Sequence, residues 1–410
     1  MASSTRLSVW VALAAVAVWC YLNFVTILEA TAGRITIDPA RLQRWENLPD
    51  VANGACVVDT VANACEDVNV HAASSTAFLA CGDPAGRVQW FPSSRFQLAS
   101  NRATFREQFF KFDLKTNTRT ELKLDMNGLL PDDHDIVTHG LDIFPAGEKK
   151  DDKKNDKILV FAVNHARSGD AILIFEHTLG TDVLRLVREV RHPAIKSANS
   201  VAAIGPRSFY ITNDHYYPRG VLRLLEDRFG PWAWATSVQY CSAEEGAAVV
   251  CKEVSETMPC ANGLAVSKDN LVFAGDSKNG SVTVYEMADG KPDQLRRVRV
   301  VDVGAIADNI KILAGTGDPL VTVFPDGEEL PLFLANVSAL GRTVFAPTAV
   351  LRLRKERDFE PELLLRDNGA QLTDMTAADI DPKTRTLVGA SFLKYGGFAV
   401  CKLPDSVDLS

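Results

Sequence analysis

The sequence predicts an all-β chain, a six-bladed β-propeller, preceded by an N-terminal hydrophobic helix. Three observations carry that expectation. Short β-rich runs recur in pairs across polar turns, helical patterning is sparse beyond the N-terminus, and oxygen-bearing side chains gather at the ends of β-rich runs.

The N-terminal element comes first. After Arg6 the run "LSVWVALAAVAVWCYLNFVTIL" is uncharged from Leu7 to Leu28, and about 22 residues at 1.5 Å per residue suffice to cross a bilayer. It reads as a retained signal anchor, or as a signal peptide cleaved near "EATAG" at Glu29 to Gly33. The expected organisation is therefore 1–33 as anchor and flank and 34–410 as the propeller, membrane-attached or secreted, in the secretory pathway.

The paired runs follow. They begin at Thr76 ("TAFLACGDPAGRVQWF"), Ile158 ("ILVFAVNHARSGDAILIF"), Phe209 ("FYITNDHYYPRGVLRLL"), Leu271 ("LVFAGDSKNGSVTVY"), Leu320 ("LVTVFPDGEELPLFLANV") and Leu387 ("LVGASFLKYGGFAVCKL"). Each joins β-branched and aromatic residues across Gly, Asn, Asp or Pro, the composition a hairpin needs. Six such units arranged radially leave few exposed edges. An irregular pair of β-sandwiches is the alternative. Residues Gly220 to Phe229 carry the other helical signal, and "EKKDDKKNDK" at Glu148 to Lys157 has no apolar residue and reads as a solvated loop.

Cysteine usage suits an oxidising compartment. Of eight cysteines only Cys20 lies in the apolar run, so at least one of the others stays free or pairs between chains. Cys56 precedes the first unit and Cys401 ends the last strand, so a bond between them would tie the ring shut. Cys241 and Cys251 are a candidate local pair, while the partners of Cys65, Cys81 and Cys260 stay open. No C-x-x-C is present, and sequons at Asn279 and Asn336 are compatible with glycosylation.

The net charge of −8 and pI near 5.5, without a basic stripe, exclude a nucleic-acid binder. The sequence does not set the oligomeric state.

The chemistry is carried by scattered acids and amides: Glu66 and Asp67 in "CEDVN", Asn199 in "SANSV", Asn262 in "CANGL", and Asp308 and Asn309 in "ADNIK". In a propeller such positions can converge on the axis. All are oxygen donors, which favours calcium over zinc. Taken singly, each also suits an ordinary turn. Nucleophile-elbow, zincin, Walker and dinucleotide motifs are absent.

The segment "SANSVAAIGPRSFYITNDHYY", with "ED", "HGLDIF", "VNHARS", "NDHYY", "ANG" and "DNI" in that order, resembles the serum paraoxonase/arylesterase family over about residues 50–403. The resemblance implies a six-bladed propeller with two calcium ions in its tunnel. A catalytic calcium would be held by Glu66, Asn199, Asn262, Asp308 and Asn309, and a deeper structural calcium by Asp67 and the main-chain oxygen of Leu141. The chain departs from the family at Ser200, where the family carries Asp, which weakens the case for the deeper ion. The resemblance also implies a Cys56–Cys401 disulfide, His139 and His165 as the pair that activates water, and Asp214 and His215 beside the active-site wall.

The implied activity is calcium-dependent hydrolysis of carboxylic esters, most of all lactones and aryl esters, with a small-molecule substrate. A gluconolactonase-like or strictosidine-synthase-like enzyme, and a non-enzymatic luminal propeller with structural calcium, are the rival expectations.

Overall fold

The computed structural model describes residues 2–409 apart from 32–36, 38, 47, 52–55, 95, 98–103, 147–155 and 327–344. The architecture is all-β and propeller-like, built from four four-stranded antiparallel sheets and one eight-stranded sheet, besides a small two-stranded ribbon. The eight-stranded sheet joins two meanders, Cys65–His71 to Thr118–Asp125 and Thr138–Pro145 to Val183–Val190. Their outer strands pair in parallel, Val183 to Arg185 against Lys123 to Asp125. Six separate sheets were expected, and this outer-edge pairing is why only four stand alone.

Three further sheets run from Ala198–Ala203 to Val250–Glu253, from Ala261–Val266 to Leu295–Asp302, and from Ile306–Ile312 to Glu360–Asp367. The last combines Met375–Asp381, Thr386–Ser391 and Phe398–Lys402 with Cys56–Asp59 from the other end of the chain. The first strand of every meander touches the first strand of the next, and Met375–Asp381 returns to Cys65–His71, so these inner strands close a ring around the axis. Between sheets lie dry cores such as Phe273, Val282 and Val284 against Val321, Val323, Ala349 and Leu351. Stacking apolar sheet faces radially is what lets strands buried on both faces read as near-continuous hydrophobic runs.

Three of the six expected hairpins form as read: Lys157–Ala166 with Gly169–Thr178, Leu271–Asp276 with Ser281–Met287, and Thr386–Ser391 with Phe398–Lys402. The others pair elsewhere. Thr76–Cys81 lies between Cys65–His71 and Gln108–Asp113, while Trp90–Phe91 pairs with Phe96–Gln97 in a separate ribbon. Ser208–Asn213 pairs with Val238–Ser242, because the stretch between them folds as the helix Gly220–Phe229, with apolar Val221, Leu222 and Leu224 exposed. Pro319–Phe324 pairs with Thr348–Arg354, and the partner run expected after Leu330 lies outside the described residues. So do Asn336 and most of the charged run at Glu148 to Lys157.

Three disulfides form, Cys56–Cys401, Cys65–Cys81 and Cys241–Cys251. Cys20 and Cys260 are free. The ring closure bridges residues already opposite each other in the ladder, Cys56 facing Cys401. Because the bond spans 345 positions, Cys56→Ser with Cys401→Ser is expected to lose about 2–5 kcal/mol of stability in urea unfolding. A free thiol at either position in a non-reduced digest would refute the closure.

The N-terminal helix spans Ala2–Thr31. Its side chains are described only over Val9 to Phe24, and Glu29 to Gly33 falls outside them. Among the described residues no helix is long and apolar enough to cross a membrane.

Candidate metal centre and active site

Each inner strand breaks its ladder once, and five of the six breaks fall on residues that the sequence singles out. The register slips between Cys65 and Asp67, between Thr138 and Leu141, and between Ala198 and Val201. It slips again between Ala261 and Leu264, between Ala307 and Ile310, and between Met375 and Ala377. A bulge leaves a residue without a ladder partner and re-aims its side chain. Glu66, His139, Asn199, Asn262, Asp308 and Asn309 all stand at such slips.

Two glycines make the convergence sterically possible. A Cβ on Gly140 would stand 2.6 Å from the Asn199 carbonyl oxygen, and one on Gly263 would stand 2.2 Å from that of Asp308. Only glycine allows backbones so close.

Glu66, Asn199 and Asn309 are buried. Four of the converging oxygens, Glu66 Oε2, Asn199 Oδ1, Asn262 Oδ1 and Asn309 Oδ1, are buried without a hydrogen-bond partner. Asn309 Nδ2 donates to Glu66 Oε1 at 2.8 Å, which settles the amide orientation and leaves its oxygen as the unpaired atom. Each such orphan costs about 1–3 kcal/mol unless something answers it. Burial raises both carboxyls: Glu66 well above the usual range, with the charges of Asp67 and Asp308 adding to it, and Asp308 to about 8, with Asp67 adding to it. A hard divalent cation would reverse both effects. Among the described residues no group of three or more His, Cys, Asp or Glu is placed to hold a metal ion. The donor set here is two carboxylates and three carboxamides, which fits calcium.

The deeper site expected at Asp67 and Leu141 is arranged differently. Lys311 Nζ donates to Asp67 Oδ2 and to the Leu141 carbonyl, each at 2.8 Å. Asp67 also accepts from the Leu141 and Val68 amides. Both oxygens assigned to the second ion are thus engaged by a side-chain ammonium, and the site does not fit a calcium ion.

His139 and His165, both buried, come together, Nδ1 to Nε2 at 2.9 Å. His165 Nδ1 lies 3.0 Å from Asp170 Oδ1. The carboxylate fixes the proton on that nitrogen, so a neutral His165 accepts at Nε2 from His139 Nδ1–H. His139 Nε2 is left as the acceptor, 3.5 Å from Glu66 Oε1. Burial, with His165 beside it, keeps His139 well below the ordinary histidine range. Burial opposes charge on His165 as well, but the carboxylates around it, Asp170 first and then Asp214 and Glu107, together raise that imidazole.

Asp214 Oδ1 and His215 Nδ1 are hydrogen-bonded at 2.7 Å, Asp214 also accepting from Ser197 Oγ at 2.6 Å. His215 Nε2 faces Asp227 of the helix Gly220–Phe229 at 3.6 Å, and Arg223 of that helix donates to the Pro92 and Ser93 carbonyls. Despite its burial, Asp214 is held strongly ionised, His215 and Arg223 contributing most. The pair therefore links Ser197, just before the strand Ala198–Ala203, to the helix Gly220–Phe229.

Sequence reasoning missed Asp170, Lys311, Phe91 and the Arg87–Glu107 pair. Asp170 was within reach, since a two-residue turn at Arg167 and Ser168 puts it opposite His165. Phe91 packs on both histidines, with ring centroids 4.9 and 5.6 Å away. Buried Arg87 is ion-paired with Glu107 at 2.7 Å, and Glu107 Oε2 accepts from both Thr138 N and Oγ1, which anchors the strand before His139. The contacts of Lys311, Phe91 and the Arg87–Glu107 pair join residues far apart in the chain and leave no local pattern.

A family profile described as Arylesterase matches residues 97–397. Serum paraoxonase/lactonase 3 of Mus musculus is 28% identical over 290 residues, 70% of this chain and 75% of that protein. Serum paraoxonase/arylesterase 2 of Gallus gallus is 30% identical over 213 residues, 50% of this chain and 57% of that protein. Among solved structures, a luciferin-regenerating enzyme aligns with a TM-score of 0.48 at 15% identity, covering 86% of this chain and 97% of that one.

Proposed function

The chain belongs to the arylesterase family, and we propose that it is a calcium-dependent hydrolase of carboxylic esters, lactones foremost and aryl esters with them. The single observation that carries this reading is the set of four orphaned oxygens, on Glu66, Asn199, Asn262 and Asn309, beside the His139–His165–Asp170 chain. We count each half of the eight-stranded sheet as a blade, which gives six blades within residues 34–410. The three disulfides support placing that domain in an oxidising secretory compartment. In the same reading residues 1–33 are the anchor or signal segment.

Glu66, Asn199, Asn262, Asp308 and Asn309 would hold the ion. When bound, calcium supplies the positive charge that polarises an ester carbonyl and stabilises the oxyanion developing on it. His139 Nε2 takes the proton from the attacking water while its Nδ1–H stays bonded to His165, and it returns that proton to the alkoxide or phenoxide oxygen that leaves as the ester C–O bond breaks. Asp170 holds His165 in the tautomer that keeps His139 Nε2 free. Phe91 covers both rings and keeps bulk water from them. The step needs no acyl-enzyme, because the nucleophile is water itself.

Hydrolysis of a γ-lactone and of phenyl acetate, with calcium, with a chelator and with calcium restored, tests the proposal. Activity lost on chelation and recovered on restoration is expected. No hydrolysis of either ester in calcium would remove it, leaving a propeller enzyme with another substrate or a luminal binding protein.

A further inference from the structure

We propose that the Lys311 ammonium replaces a second, deeper calcium, so that this chain carries one calcium ion per molecule. The inference rests on the calcium reading above and refines its ion count. Asn309 and Lys311 lie on the inner strand Ile306–Ile312, and both reach the inner strand Cys65–His71, Asn309 Nδ2 at Glu66 Oε1 and Lys311 Nζ at Asp67 Oδ2, each at 2.8 Å. One strand thus supplies a ligand to the upper site and a cation to the lower one.

The lower site is built for that cation. Lys311 is buried, 5% exposed, and its Nζ bonds the Asp67 carboxylate and the Leu141 carbonyl, each at 2.8 Å. Below it a cavity of about 120 Å³ is lined by Lys311 with Asn69, Asp142 and Asp379. Both of these acids are spoken for: Asp142 accepts from Asn69 Nδ2 and the Ala203 amide, and Asp379 accepts from the Val70 and Ile380 amides.

Charge favours the exchange. The family resemblance puts an Asp at position 200, and here it is Ser, so the oxygen set meant for the deeper ion has one carboxylate less. The Lys311 ammonium answers the acids that remain around it, Asp67 by a direct ion pair and Asp142 and Asp379 across the adjoining cavity. Burying a pair is tolerable when both partners are matched and hydrogen-bonded, whereas adding calcium beside Lys311 would bring two like-charged groups onto the same two oxygens.

The experiment is a calcium count on the native full chain, equilibrated in millimolar calcium, freed of excess by gel filtration and measured by atomic emission. One ion per chain is expected. Two ions would overturn the inference and leave the hydrolase reading standing, and none would overturn both. The double variant Lys311→Ser with Ser200→Asp restores the acid and removes the ammonium, and it should rise to two ions. A folded double variant that still holds one ion also overturns the inference. If that variant does not fold, the native count decides alone.

Discussion

Replacing His139 by Gln is expected to slow lactone turnover by roughly 10²–10⁴-fold, the usual share of a general base, while calcium stays bound. Gln keeps size and a hydrogen bond to His165 but accepts no proton near neutrality. The pH dependence follows from the pair. Neutral His165 receives the His139 Nδ1–H at 2.9 Å and leaves Nε2 free, whereas protonated His165 donates along that bond and pushes the His139 proton onto Nε2, where it blocks the base. Against the effect of burial, His165 is raised above the ordinary histidine value by Asp170 first and then by Asp214 and Glu107. Activity should therefore be full above that raised pKa and fall as pH drops through it. Stopped-flow turnover across pH tests this. A His139→Gln enzyme at the parent rate with an unmoved pH profile would transfer the role, with Asp308 the next candidate.

Replacing Glu66 by Gln, or Asp308 by Asn, removes one of two carboxylates from the five-residue oxygen set and should cost calcium and catalysis together. The ion's stabilisation of transition-state charge amounts to several kcal/mol, so hydrolysis at limiting calcium should fall by about 10³-fold. The variants should still fold, because each side chain keeps its volume and burial already drives both carboxyls toward neutrality. Calcium titration by calorimetry alongside turnover checks it. Either variant with parental activity and unchanged chelator sensitivity would remove the ligand assignment.

How much was legible in the sequence depends on how far apart the interacting residues lie. Runs such as Leu271–Asp276 with Ser281–Met287 declared themselves, because strand composition and a short turn are local properties. The Thr76 run misled, because its partners Cys65–His71 and Gln108–Asp113 flank it at unequal distances and a nearer β-like run at Trp90 looked as good. Cys56 and Cys401 could be paired from their places at the two ends of the repeat, since ring closure is a property of the whole chain.

The sequence by itself determined the β class and singled out the oxygen-bearing side chains of Glu66, Asp67, Asn199, Asn262, Asp308 and Asn309, and the order of its short motifs, through the family they resemble, singled out His139 and His165. Residue type sets chemistry, and the order of short motifs survives any fold. Only the tertiary structure decided how those groups are used. Bulges at the inner strands turn the donors onto one axis, and Gly140 and Gly263 let backbones from different sheets meet there. A lysine two residues beyond Asn309 reaches an aspartate 244 positions away. Periodicity along the chain carries no information about contacts across the ring, and it is these contacts that turn Asp67 from an expected calcium ligand into the partner of Lys311.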